Sequence, residues 1–223
     1  MRKIDLDAEA TFENRKASGE GVRSAQDKFY WATALPEADH KKLTLTKIAN
    51  GSVLEIGCAS GYDAKIYAGT ANKYIGVDIS DVAIGNCRAM NVKNAEFYCT
   101  DGHKLPLADS SVDFVIVNSL LHHLDLEIAL AEISRVLTRN GRLIFKEPLG
   151  TNFAFQIYRW LTPGARTVDE RPFTFADIKL IRRYFDFEEV TWYGFLSIGS
   201  AFFRSSALRI ILTRTDKLLS STP

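Results

Sequence analysis

Between residues 52 and 147 the apolar positions come in short dense runs, and stretches with helical spacing separate them. The runs are Ser52–Gly57, Lys73–Asp78, Ala95–Cys99, Val112–Asn118 and Arg142–Glu147. Each is short and rich in Val, Ile or Phe, the pattern of strands buried on both faces. Tyr62–Gly69, Asp81–Met90 and Asp125–Thr138 read as helices. The last places Leu126, Ala129, Leu130, Ile133, Val136 and Leu137 on one face, and Asn140-Gly141 is expected to end it, since both residues tolerate a left-handed backbone. Alternation of strand and helix predicts an α/β fold: a Rossmann-like, mainly parallel sheet with helices on both faces.

The flanks are less regular. Residues 1–20 show no evident period, and Ser18-Gly19-Glu20-Gly21 reads as a joint. Asp27–Trp31 is an aromatic cluster before Pro36, and residues 37–49 read as a helix. Residues 1–49 together are expected to form a helical lid. After Pro148 come the aromatic group Phe153, Phe155, Tyr158 and Trp160, then a charged run from Arg166 to Arg171. Thr174 is the expected cap of a helix to Tyr184, Phe187–Tyr193 a further strand, and Phe202–Leu219 an amphipathic helix. The expectation is one domain over residues 1–223, with a core at 50–147 and an acceptor-capping region at 148–223.

Composition narrows the classes. The 223 residues are 46% hydrophobic, enough for one sizeable core. With 28 basic and 27 acidic residues the net charge is +1, so no nucleic-acid partner is expected. Cys58, Cys87 and Cys99 lack metal-ligand spacing and read as reduced thiols. No signal peptide is evident, and no apolar run reaches the roughly 18 residues of a membrane span. A cytoplasmic location is the expectation. The apolar, arginine-bearing segment at 195–223 admits peripheral membrane contact, and an exposed sheet edge admits a homodimer.

The chemistry concentrates where the runs end. Three carboxylates sit at the ends of three successive strands: Glu55 at the first turn, Asp78 ending the second strand and Asp101-Gly102 after the third, and Gly57 and Gly61 bracket the first turn. Ligands of open parallel sheets bind beyond the carboxyl ends of the strands. An aspartate ending the second strand suits both hydroxyls of a ribose, and one after the third suits an adenine amine. A nicotinamide dehydrogenase shares this architecture, but its G-x-G-x-x-G fingerprint is absent.

Val53–Gly61, Gly76-Val77-Asp78-Ile79-Ser80 and Asp101–Val115 together resemble the class I S-adenosylmethionine-dependent methyltransferases. Leu121-His122-His123-Leu124, Glu132–Leu137 and Asn140–Leu143 are similar to the subgroup that acts on small molecules. The resemblance implies S-adenosyl-L-methionine as cofactor and a seven-stranded type of sheet, although the last strand is not evident here. It places Glu55, Gly57, Cys58 and Gly61 along the methionine, Asp78 on the ribose, Ile79, Asp101 and Gly102 at the adenine, and Asn118 and Ser119 beneath the sulfonium. Ala59 departs from the family's usual glycine. Tyr30 and Trp31 are candidates either to close over the cofactor or simply to pack on the domain.

The implied reaction is methyl transfer to oxygen or nitrogen of a small-molecule acceptor. A non-catalytic scaffold that only holds the cofactor is the alternative. His122 and His123 are candidate bases or acceptor-positioning groups, against a structural reading as packed residues at a helix start. Glu147 is a candidate acceptor contact or an arginine's partner. Arg166, Arg171, Arg182 and Arg183 either meet an anionic acceptor or form a solvated surface. His40 and His103 are expected in solvent, and no metal site is expected.

Overall fold

A computed structural model describes residues 4–20, 27–150, 156–157, 159–160, 171–202 and 205–220, without the side chains of 27–30, 201–202 and 220. Five strands form one sheet: β1 (Ser52–Ile56), β2 (Lys73–Asp78), β3 (Ala95–Cys99), β4 (Val112–Asn118) and β5 (Leu137–Lys146). Their order is β3-β2-β1-β4-β5, and every pairing is parallel. The chain runs outward from β1 to β3 and then returns to the other side of β1. This opens the crevice of a doubly wound sheet between the ends of β1 and β4.

The helices are α1 (Leu6–Ala17), α2 (Asp27–Lys47), α3 (Ala64–Ala68), α4 (Asp81–Ala89), α5 (Leu126–Val136), α6 (Phe175–Ile181) and α7 (Ser206–Ser220). α5 buries Leu126, Ala129, Leu130, Ile133 and Val136, the face its spacing predicts. Ser80 caps α4 by accepting from the Ala83 N–H, and Thr174 and Asp177 form a reciprocal cap on α6.

Contacts divide the chain into two compact units. The first comprises residues 1–21, 45–149 and 166–185, and the second 22–44, 150–165 and 186–223. The first unit's core includes Ile48, Val53, Tyr67, Tyr74, Ile84 and Ile116, all fully buried. Tyr74 lies between Tyr67 and Phe97, with ring centroids 6.5 and 5.9 Å away.

Several expectations need correction. The sheet has five strands among the described residues, and Phe187–Tyr193 is not one of them. α1 forms where no period was evident. It buries no residue, so no apolar stripe marks it. Asp5 caps it, Asp7 and Glu9 lie in its first turn, and Arg15 and Lys16 in its last. α2 runs through Pro36 instead of starting after it. Asn140-Gly141 does not end a helix, because α5 stops at Val136 and β5 begins at once. Leu137 pairs with Val112 and Arg142 with Phe114, so residues 138–141 bulge from the ladder. A Cβ on Gly141 would lie 2.8 Å from Leu137 Cδ2 and 2.9 Å from the Thr138 carbonyl, which is why glycine stands there.

Candidate functional site

The loop after β1 makes a tight turn with three residues in the left-handed region: Gly57 (φ 78°), Ala59 (φ 46°) and Gly61 (φ 73°). Ala59 is the departure noted above, and its φ gives the physical reason a glycine suits this position: a Cβ is strained there by about 1–2 kcal/mol. The loop is stapled to the end of β2. Asp78 Oδ2 accepts from the Ala59 N–H at 2.8 Å, and Asp78 Oδ1 from the Ser80 N–H at 2.9 Å. Each oxygen retains a second lone pair. Burial pushes the Asp78 carboxyl above its ordinary value, and the two N–H groups only partly offset this.

Glu55, near the end of β1, is buried and accepts from the Tyr74 hydroxyl at 2.5 Å. Burial, and then the Glu55 charge, keep that phenol protonated well above its usual range. The Cys58 and Cys87 thiols lie 3.7 and 3.2 Å from the Ala59 carbonyl oxygen, on the inner side of the loop. The hydrogen bond with Cys87, and then burial, push the Cys58 thiol far up, so it is an uncharged packing group.

Beyond β3, Asp101 Oδ1 accepts from the His103 N–H at 2.7 Å and lies 3.3 Å from His103 Nδ1. His103 Nε2 accepts from the Asp125 N–H at 2.9 Å. His103 is therefore a half-buried brace between two loops and not a solvent-exposed residue. His40 on α2 is half-buried as well. Gly102 is buried, and a Cβ there would come within 3.0 Å of Leu124. Ile79 is half-buried.

Beyond β4, Asn118 ends the strand and Ser119 turns the chain with φ 55°. His122 follows in a 3-10 turn, Leu121–His123. Its Nδ1 lies 2.6 Å from Glu147 Oε2, while Glu147 Oε1 accepts from the Leu120 and Leu121 N–H groups at 2.9 and 2.7 Å. Glu147 thus anchors the turn and His122 together. Histidine takes the place that the sequence left open to an arginine. Since a carboxylate only accepts, a neutral His122 donates from Nδ1 and carries its lone pair on Nε2. The His123 ring packs 4.3 Å from that of His122, and its Nδ1 lies 3.1 Å from Glu9 Oε1 on α1.

α1 crosses this end of the sheet. Asn14 Oδ1 accepts from the Ser80 hydroxyl at 2.6 Å, and Glu9 reaches His123. Glu13 and Lys16 are near enough to act on the Asp78 carboxyl, with opposite signs. The involvement of α1 was missed. The signal for it was the cap at Asp5 followed by the acid-to-base order of charges.

Other candidates lie elsewhere or have other partners. Tyr30 is on α2, and its side chain is outside the described ones. Trp31 is engaged within the second unit, with the Arg209 guanidinium 4.4 Å above its ring. Arg171, whose side chain is 39% exposed, pairs with the Asp177 carboxylate. Burial raises Asp177, but Arg171 and Thr174 outweigh it and hold the carboxyl below its usual value. Arg182 and Arg183 are exposed. Phe153, Phe155, Tyr158 and Arg166 fall outside the described residues. Among the described residues no cluster of His, Cys, Asp or Glu could hold a metal.

Taken together, acidic groups stand at the carboxyl ends of β1 and β2 and just beyond β3, a glycine loop lies between the first two, and polar groups lie at and beyond the end of β4. The acceptors suit the hydroxyls and amines of a nucleoside, so the donor and acceptor chemistry fits an adenosine-bearing cofactor.

Residues 54–145 match the family model described as a methyltransferase domain. The Mycobacterium tuberculosis protein named "Probable S-adenosylmethionine-dependent methyltransferase Rv3030" is 34% identical over 103 residues, 46% of this chain and 37% of that protein. The match thus spans well under half of that relative's length. A malonyl-[acyl-carrier protein] O-methyltransferase of Hamiltonella defensa is 25% identical over 180 residues, 79% of this chain and 65% of that protein. Among solved structures, Bacillus subtilis YcgJ superposes with a TM-score of 0.57 at 18% identity, covering 80% of this chain and 83% of that one. The N-methyltransferase NodS of Bradyrhizobium japonicum, in complex with S-adenosyl-L-homocysteine, gives 0.54 at 20%, covering 68% and 74%. At these identities the structural likeness is one of fold.

Proposed function

We propose that this chain, which belongs to the class I S-adenosylmethionine-dependent methyltransferases through its core at 54–145, transfers a methyl group to oxygen or nitrogen of a small-molecule acceptor. The observation that carries the reading is the row of acidic groups at the carboxyl ends of adjacent parallel strands, beside a loop held in left-handed geometry. S-adenosyl-L-methionine, when bound, supplies an electrophilic methyl on a sulfonium.

The residues then take the following parts. Glu55, Gly57, Cys58 and Gly61 line the methionine portion. Asp78 uses its remaining lone pairs for the ribose while it holds the Ala59 and Ser80 N–H groups. Ile79, Asp101 and Gly102 border the adenine, and Asn118 and Ser119 lie beneath the reacting carbon. His122 accepts the acceptor's proton at Nε2, oriented by Glu147, and His123 positions the acceptor under the influence of Glu9. Glu147 is a positioning residue in this scheme, because its oxygens are committed to His122 and to two N–H groups. Acceptor choice is assigned to the segments outside the matched core, residues 1–49 and 148–223. The O-methyltransferase relative supports an oxygen acceptor for that protein, and the chemistry of a histidine base is compatible with one here.

The test couples binding to turnover. Calorimetry with S-adenosyl-L-homocysteine should give a defined affinity, and mass spectrometry with a panel of hydroxylated and aminated acceptors should detect methylated product. His122→Ala should lower kcat more than it raises KM, with folding intact. An unchanged rate for both His122→Ala and His123→Ala at saturating cofactor would remove both from the catalytic role. Binding without product across the whole panel would favour the scaffold reading.

A further inference from the structure

We infer that the outer face of α7 docks the protein on an anionic lipid surface. The rotation of this helix is fixed by what it holds on its inner side. Asp216 is 3% exposed and accepts from the N–H groups of Gly194, Leu196 and Ser197 at 3.2, 2.8 and 3.0 Å. Arg209, one further position on the same side, donates to the Trp31 carbonyl at 3.0 Å and stacks on its ring. Those bonds commit one side of α7 to its own unit.

The opposite side presents Ile210, Ile211, Arg214, Lys217 and Leu218, whose spacing of three and four residues keeps them on one stripe. Ile211 is 60% and Leu218 70% exposed. Water gains nothing from these side chains, and burial elsewhere would stabilise them. The charges have one sign: Arg214 and Lys217 lie on the stripe, and the helix's single acid, Asp216, points inward. Lys217 also approaches Asp39 at 3.3 Å, but both side chains are more than 60% exposed, so this pair is screened and yields readily.

Apolar residues interleaved with cations are the chemistry of a helix lying in the plane of a bilayer. The side chains enter the acyl boundary, and the cations meet anionic headgroups. Among the described residues no helix is long and apolar enough to cross a membrane, so the contact is peripheral. A second copy of the chain is a poorer occupant. Three apolar side chains cover far less than the roughly 800 Å² per partner of a stable interface, and two like-charged stripes would repel. This inference is independent of the proposed methyl transfer.

The experiment is co-sedimentation of the full chain with vesicles of phosphatidylcholine alone and of phosphatidylcholine mixed with phosphatidylglycerol. The protein should pellet with the mixed vesicles, and high salt should release it. Ile211→Asp with Leu218→Asp, and separately Arg214→Glu with Lys217→Glu, should each weaken binding about tenfold or more. Unchanged circular dichroism and unchanged S-adenosyl-L-homocysteine affinity would establish that both variants remain folded. Equal pelleting of the variants and the parent, or no pelleting with any anionic content, would overturn the inference. So would self-association in lipid-free sedimentation velocity that the same substitutions abolish, because a second copy would then cover this face.

Discussion

At the carboxyl ends of the strands, polar side chains are withdrawn from water; on the outer face of α7, apolar side chains extend into it. The first group is compensated inside the molecule. Asp78 receives two backbone N–H groups, and Glu147 receives two more together with His122. Asp216, on the inner face of α7, uses the same device. A buried carboxylate is tolerable when donors replace the water it has lost. Ile211 and Leu218, by contrast, are 60% and 70% exposed, so most of their apolar surface faces water.

The comparison can be broken most forcefully at Glu147. Glu147→Ala strands His122 and two N–H groups in a buried place, and should cost about 3 kcal/mol in chemical denaturation. A loss under about 1 kcal/mol would mean that water replaces the carboxylate and that the compensation described is not needed. Glu147→Gln keeps an acceptor for the N–H groups and should recover part of the loss.

Next in size is Asp78→Ala, which should weaken cofactor affinity by about 2 kcal/mol in calorimetry, through loss of charge-assisted bonds and of the loop staple. The pH dependence has a definite sign. Ribose hydroxyls donate to the ionised carboxylate, and burial raises the pKa of this group. Affinity should therefore decline as pH falls through a value above that of an ordinary aspartate, and Asp78→Asn should flatten the decline. A flat profile in the parent would detach Asp78 from the ribose.

Gly61→Ala should destabilise by about 1–2 kcal/mol, since φ is 73° and a Cβ would meet the Cys87 sulfur at 3.0 Å. The opposite change at the neighbouring left-handed position is a sharper test. Ala59→Gly should raise stability by about 0.5–1 kcal/mol and increase Tm, because relief of strain exceeds the entropy gained by the unfolded chain. A lower Tm would place the Ala59 methyl in a packing role. The smallest effect is expected on the exposed stripe. Arg214→Glu should alter stability by no more than about 0.5 kcal/mol, so any functional change there would come from lost contacts with a partner.

The strand positions were legible because parallel strands covered on both faces are nearly continuous apolar runs. β2, β3 and β4 have the bounds that the runs suggest. The start of β5 was not legible, because Leu137 continues the helical period of α5 and also pairs with Val112. α1 escaped because its attachment is polar, through Asn14 and Glu9, and buries no apolar stripe. Phe187–Tyr193 misled in the other direction, since aromatic and β-branched residues favour a strand but do not supply a neighbour to pair with.

By itself the sequence determined which groups stand at the strand ends. Glu55, Asp78 and Asp101 sit at or just beyond the ends of apolar runs whose direction is set once the sheet is parallel. Only the tertiary structure decided which of those groups meet. His122 finds Glu147 because β4 and β5 are neighbours, and His103 braces Asp101 to Asp125 across two loops. Local pattern encodes burial and period, which act over a few residues. A hydrogen bond between groups far apart in the chain depends on the order of strands, and that order is settled only when the whole sheet forms.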